Sequence, residues 1–287
     1  MQTCDNIEQL RSKIKAWRAS NESIAFVPTM GNLHHGHISL VEIARKRAQH
    51  VVVSIYVNPL QFAPHEDFDS YPRTLQDDLD KLATVDTELV FTPDTTLVYP
   101  QGERENTFVE VPRLSDILEG EFRPGFFRGV ATIVLKLFNM VQPDIAVFGE
   151  KDYQQLLVIR RMVEELNLPI EIIGAPIIRE ADGLAMSSRN GYLDDDERAS
   201  SRVLSETLAA FCNQIKLGVS VEQAEHEAVQ KLQSEGFSVD YVSLREASEL
   251  GQIATDELKK VPELVVLAAA KLGTTRLIDN MKFTLSD

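Results

Sequence analysis

The chain is poor in the residues that build stapled, redox or membrane proteins. It has only two cysteines in 287 residues, Cys4 and Cys212, 208 positions apart and without metal-ligand spacing. That excludes a disulfide framework and a cysteine-based metal site, and it fits reduced thiols in a reducing compartment. No apolar run approaches the ~20 residues of a membrane span; the nearest, residues 263–270, has only the length of a strand. The first 18 residues are polar and helical in pattern, without the apolar segment of a signal peptide, so a cytoplasmic protein is expected. Basic residues are also scarce: 29 Lys and Arg stand against 44 Asp and Glu, a net charge of −15. Such a surface repels polyanions, so neither sequence-independent nucleic-acid binding nor docking on anionic lipid is expected. A small anionic ligand held in a locally positive pocket stays compatible with it.

What remains is ordinary globular composition, 44% apolar and 25% charged, in a chain long enough for two domains. Through residue 175, short apolar runs (24–27, 51–57, 88–91, 144–148 and 170–173) alternate with amphipathic stretches at 37–49, 74–83, 129–141 and 153–166. Nearly continuous Val/Ile runs, each followed by a helix, predict a parallel sheet buried on both faces, the Rossmann-like doubly wound α/β class. Ligands of that class bind beyond the carboxyl ends of the strands. After Gly174-Ala175-Pro176 the order becomes helices at 195–216 and 221–233, then strands around 237–241 and 264–270. This predicts a smaller α+β domain over 177–287, following a first domain over 1–176.

The strongest chemical signal is Pro28-Thr29-Met30-Gly31-Asn32-Leu33-His34-His35-Gly36-His37, where the first buried strand gives way to a helix. A helix start offers unpaired N–H groups and the positive end of its dipole, which suits phosphate. His34 and His37 are three apart, so both imidazoles can face one ligand and donate to triphosphate oxygens while charge builds on leaving pyrophosphate. The competing readings are a surface turn with a capping histidine and a zinc site. The latter is the weaker, because no Cys or carboxylate stands at ligand spacing from His34, His35 and His37. Gly149-Glu150-Lys151-Asp152 turns a second buried strand into a helix, with Lys151 as a mobile cation for phosphate and Asp152 as a ribose acceptor or a cap. Met186-Ser187-Ser188-Arg189 gathers hydroxyls and a guanidinium, several phosphate donors at close quarters, in what is otherwise a hydrophilic interdomain loop.

Pro-Thr-Met-Gly-x-Leu-His-x-Gly-His resembles the nucleotide-binding signature of the pantoate–β-alanine ligases, within the wider His-x-Gly-His nucleotidyltransferase superfamily. Four further motifs resemble the same family in the same order: Val57-Asn58-Pro59-Leu60-Gln61-Phe62, Tyr71-Pro72-Arg73-Thr74, 148–155 (Phe-Gly-Glu-Lys-Asp-Tyr-Gln-Gln) and 182–190 (Asp-Gly-Leu-Ala-Met-Ser-Ser-Arg-Asn). The ending Leu277-Ile278-Asp279-Asn280 resembles it as well. The resemblance covers essentially the whole chain. It implies that ATP, pantoate and β-alanine become pantothenate, AMP and pyrophosphate through a pantoyl-adenylate. It implies an ATP site of Met30, Gly31, His34, His37, Gly149, Lys151, Asp152, Ile178 beside the adenine, Met186, Ser187, Ser188 and Arg189, with His37, His34 and Lys151 catalytic. Gln61 and Gln155 are the implied pantoate and β-alanine contacts, neutral amides able both to donate and to accept. Also implied are Mg²⁺ with the ATP, no prosthetic group, closure of the 186–189 segment over the nucleotide, and a homodimer.

One stretch departs from the family: in Arg123-Pro124-Gly125-Phe126-Phe127-Arg128-Gly129, Phe126 stands where the family usually has His, and Arg123 and Arg128 remain as nearby cations. Asp194, Asp195, Asp196 and Glu197 read as helix-start acids rather than a metal cluster. Asp77, Asp78 and Asp80 are a better Mg²⁺ candidate, although a solvated helix face is the plainer reading. Trp17 and the Phe residues read as core. No Ser-His-Asp or Cys-His arrangement suggests a covalent intermediate. The alternatives are a nucleotidyltransferase acting on a phosphorylated small alcohol, whose product would keep the nucleotide, and a nucleotide sensor that releases no pyrophosphate. The amides of Gln61 and Gln155 favour the ligase, since a phosphorylated substrate calls for cations.

Overall fold

A computed structural model describes residues 1–63, 66–103 and 105–285. It divides into two compact units, Met1–Glu150 with Gln155–Pro176, and Lys151–Gln154 with Ile177–Asp287.

The first unit is built on six strands, β1 (Gln2–Cys4), β2 (Ile24–Thr29), β3 (His50–Ile55), β4 (Leu89–Phe91), β5 (Ile145–Gly149) and β6 (Glu171–Ala175), in the order β1-β4-β3-β2-β5-β6. Every pairing is parallel. Helices α1 (Ile7–Ala19), α2 (His35–Arg45), α3 (Leu75–Ala83), α4 (Thr95–Val98), α5 (Glu119–Phe122), α6 (Phe126–Val141) and α7 (Tyr153–Glu165) connect them. The Val/Ile runs are buried because helices cover both faces: Ile24 to Val27 and Val51 to Val53 are fully shielded. From β2 the chain winds outward through β3 to β4, then returns through α6 to lay β5 on the other side of β2. The order therefore reverses at β2/β5, which is where a doubly wound sheet leaves a crevice beyond its carboxyl ends.

The N-terminal stretch is not helical throughout. Gln2–Cys4 pairs with Leu89–Phe91 as the edge strand, and α1 starts only after Asn6, whose side chain accepts from Gln9 N–H at 2.9 Å. Trp17 is core, stacked on His50 at 4.2 Å, but Phe108 and Phe122 are exposed, so the Phe residues are not uniformly core.

The second unit contains α8 (Asp195–Ser200), α9 (Val203–Lys216), α10 (Val221–Ser234) and an antiparallel sheet of β7 (Phe237–Glu246), β8 (Leu264–Leu272) and β9 (Thr275–Phe283). Leu264, Val266, Ala268 and Ala270, every second residue of β8, join Leu204, Leu208, Phe211, Ala224 and Leu232 in one core. The helix expected over 195–216 is two helices. At Ser201-Arg202 the bonding tightens, Leu204 N–H reaching Ser201 O at 3.2 Å, while Ser201 Oγ donates to Arg198 O at 2.8 Å. Asp194 and Glu197 form a reciprocal capping box at the start of α8, as acids at a helix start do. No helix among the described residues is long and apolar enough to cross a membrane.

Candidate active site

The turn after β2 is held by a carboxylate from elsewhere in the chain. Gly31 and Asn32 take left-handed backbone, φ 81° and 49°, which a β-carbon disfavours at Gly31. Asp78, fully buried on α3, accepts Asn32 N–H at 2.8 Å and Leu33 N–H at 2.7 Å, and Lys81 Nζ, one turn on, donates to Leu33 O at 2.8 Å. A β-carbon at Gly31 would lie 3.0 Å from Asp78 Oδ2. Asp78 is thus neither a solvated helix residue nor part of a metal cluster, because both of its oxygens are committed to the loop. Asp77 and Asp80 are exposed, with Asp80 accepting from Gln76 at 2.9 Å. Among the described residues no three His, Cys, Asp or Glu side chains converge to hold a metal.

With its loop fixed, α2 begins at the histidines. His34 Nδ1 accepts Gly36 N–H at 3.1 Å, and His37 Nδ1 accepts His34 N–H at 3.3 Å. The capping reading of His34 is therefore correct. An Nδ1 that accepts carries no proton, so each ring bears its proton on Nε2, the tautomer that donates to an oxyanion. The rings lie 4.1 Å apart, tilted by 40°, and His35 is exposed. Met30 and Gly31 precede them on the anchored loop, and Gly149, the last residue of the neighbouring β5, has open space where a β-carbon would stand.

Gln61 closes the 3₁₀ turn Pro59–Gln61 that follows β3. Its Oε1 accepts from Asn58 Nδ2 at 3.0 Å. Asn58 is fully buried: its Oδ1 accepts from Tyr99 O–H at 2.7 Å and Leu60 N–H at 3.4 Å, and its Nδ2 also donates to Gly129 O at 3.3 Å. Burial, with some contribution from Tyr56 and Glu103, pushes the Tyr99 phenol far above its usual range, so it stays protonated and donates. Gly129 allows this approach, since a β-carbon there would lie 2.2 Å from Leu60 O. Gln155 is half-buried on the first turn of α7, whereas its neighbour Gln154 is buried.

The departure at Phe126 has a structural counterpart. The Arg123 guanidinium sits 3.7 Å over the Phe126 ring, donates to both oxygens of Glu66 at 2.6 and 2.7 Å, and donates to Gln61 O at 3.0 Å. Arg123 is therefore engaged with protein groups and braces the Gln61 turn. Arg128 lies over Phe108 and, with Leu60, Gly125 and Gly129, lines a cavity of about 280 Å³.

In the second unit, residues 178–186 form a tight hairpin turning at Gly183, φ 94°, with Met186 N–H bonded to Ile178 O at 3.0 Å. The proposed adenine neighbour and the start of the Met-Ser-Ser-Arg segment are thus brought together. Ser187 caps a 3₁₀ turn (Ser188–Tyr192), its Oγ accepting Arg189 N–H at 3.3 Å. Arg179 anchors the hairpin through a bidentate pair to the buried Asp279 of β9 at 2.7 and 3.0 Å. The next residue, Asn280, donates to Lys151 O at 2.9 Å. The Lys151 ammonium lies 3.9 Å from the Asp152 carboxylate. Leu277-Ile278-Asp279-Asn280 therefore holds two of the implied nucleotide-contacting segments. Neither this role nor that of Asp78 has a local sequence signal, because each partner is 45 or more positions away.

Comparison with known proteins gives the family of the chain. The family model described as pantoate–β-alanine ligase matches residues 2–282. Pantothenate synthetases of Shewanella oneidensis and Shewanella amazonensis are each 56% identical to the chain, over 99% of it and 99–100% of their own length. The crystal structure of pantothenate synthetase from Thermus thermophilus superimposes with a TM-score of 0.90 at 42% identity, covering 98% of this chain and 99% of that one. That of the Francisella tularensis ligase, complexed with β,γ-ATP and β-alanine, gives 0.83 at 33% identity, covering 100% and 98%. The chain belongs to the pantoate–β-alanine ligase family.

Proposed function

We propose that the chain condenses pantoate with β-alanine at the expense of ATP, by two displacements without a covalent enzyme intermediate. The pantoate carboxylate attacks the α-phosphorus, forming pantoyl-adenylate and expelling pyrophosphate. The β-alanine amine then attacks the acyl carbon, forming the amide, losing a proton and expelling AMP. The observation that carries this reading is the pair of histidines at the start of α2, each with its proton directed to Nε2 by a backbone bond, at the switch point of the sheet.

In this reading His34, His37 and Lys151 stabilise the departing pyrophosphate. Met30, Gly31, Gly149, Asp152, Ile178, Met186, Ser187, Ser188 and Arg189 hold the rest of the nucleotide, and Gln61 and Gln155 hold pantoate beside the arriving β-alanine. Residues 1–176 bind nucleotide and pantoate, and residues 177–287 act as the lid that keeps water from the mixed anhydride. Mg²⁺ enters on the ATP phosphates, since the acidic residues of α3 do not fit a resident metal. The protein works in the cytoplasm as a homodimer. A nucleotidyltransferase reading is disfavoured by the amides at 61 and 155 and by family membership.

The test is ATP with pantoate, with and without β-alanine, following pyrophosphate and AMP. AMP release that requires both acids supports the ligase; AMP release without β-alanine, or none at all, refutes it. His37→Ala should slow pyrophosphate release far more than it weakens pantoate binding, and unchanged release would remove His37 from the assignment.

A further inference from the structure

The hydrogen bonds around Gln61 have a fixed direction. Two backbone groups orient the Asn58 amide: Leu60 N–H can only donate, so it must face Oδ1, and Gly129 C=O can only accept, so it must face Nδ2. Asn58 therefore cannot flip. The Gln61 atom beside Asn58 Nδ2 must be Oε1, which leaves the Gln61 NH₂ as the face presented elsewhere. Tyr99 completes the sequence from the other end. Its hydroxyl meets Asn58 Oδ1 at 2.7 Å inside the protein, where it acts as donor.

We propose that Tyr99 is a positioning residue for the reaction, acting through Asn58 to hold the Gln61 side chain with its NH₂ toward an oxygen of the carboxylate substrate. This rests on the reading that Gln61 contacts pantoate. The relay selects an acceptor: a substrate oxygen meets an N–H donor, whereas the reversed amide would set one oxygen against another. Tyr99 touches no reacting atom, and its contribution appears only through Gln61.

The experiment is a double-mutant cycle on the full chain, reading KM and kcat separately for each substrate. Tyr99→Phe should lower kcat/KM for pantoate about tenfold, as the loss of one buried hydrogen bond does. KM for ATP and for β-alanine should stay within twofold, a selectivity that a general loss of structure would not show. In a Gln61→Ala background, Tyr99→Phe should change pantoate kcat/KM by less than twofold. Asn58→Asp, which still accepts from Tyr99 and Leu60 but cannot donate to Gln61, should reproduce and exceed the loss; it also serves if Tyr99→Phe does not fold. An equal Tyr99→Phe penalty in both backgrounds, an unchanged pantoate kcat/KM in Tyr99→Phe, or full activity in Asn58→Asp would each overturn the relay. Gln61→Ala with unimpaired pantoate kinetics would instead overturn the reading of Gln61 on which the relay rests.

Discussion

Replacing Asp78 by Asn separates the anchoring of the histidine loop from its chemistry. The two carboxylate oxygens accept Asn32 N–H and Leu33 N–H at 2.8 and 2.7 Å in a fully buried site. Asn has nearly the same shape but one acceptor and one donor, so one N–H would face an NH₂ group. The change removes one charge-assisted hydrogen bond and leaves a buried donor without a partner, together about 2–4 kcal/mol. The loop can recover part of this only by moving, which displaces the start of α2 and both imidazoles. If the whole penalty falls on positioning, kcat/KM drops about 30- to 1000-fold; if it falls on folding, the melting temperature drops instead. Pyrophosphate release and thermal unfolding, measured on the same variant, divide the two. Asp77→Asn and Asp80→Asn, on exposed positions of the same helix, should release pyrophosphate within twofold of the parent rate and melt like the parent. An Asp78→Asn protein with parental melting temperature and parental pyrophosphate release would refute the anchor.

Other features give separate outcomes. Gly129→Ala places a methyl 2.2 Å from Leu60 O, so α6 or the Gln61 turn must shift; thermal melting should show a loss of about 1–3 kcal/mol, while Gly149→Ala, with open space around its β-carbon, should melt like the parent. Asp279→Ala leaves Arg179 without its bidentate partner and should cost about 3 kcal/mol, the low end for a broken buried pair because Arg179 retains some solvent. Burial pushes the Cys4 thiol up to about 11 and the Cys212 thiol up to about 12. Both should therefore resist a thiol reagent at pH 8 in the native protein and react on unfolding. Because unfolded thiols ionise near about 8.5, this contribution to stability is complete below that pH and is lost as pH rises toward the native values. Rapid labelling of the native protein would contradict it.

The doubly wound sheet was legible because β2 and β3 have unbroken apolar centres, Ile24-Ala25-Phe26-Val27 and Val51-Val52-Val53, a pattern that burial on both faces explains. Edge strand β1 was not, since three residues with a polar Gln and Thr carry no period and take their conformation from β4. The broken helix at Ser201-Arg202 escaped because both residues keep right-handed backbone and interrupt only the bonding ladder. At the candidate site, the residues proposed to meet a ligand from a turn or helix start, such as His34, His37 and Lys151, carry local signatures. Residues that hold those turns do not. Asp78 looked like one acid among three on a helix, and only the fold shows that its face points inward.

The pairing of Arg179 with Asp279 spans 100 positions, so the hairpin that leads into Met186–Arg189 is tied down by β9, a strand made long after it. Closing a flexible loop of that length costs about 4 kcal/mol in chain entropy before any contact offsets it. During synthesis the hairpin therefore emerges long before its anchor exists. A fragment released before β9 retains the residues of the Met-Ser-Ser-Arg segment but lacks the carboxylate that fixes the hairpin before it. The anchor of this hairpin thus exists only once β9 has been made and paired.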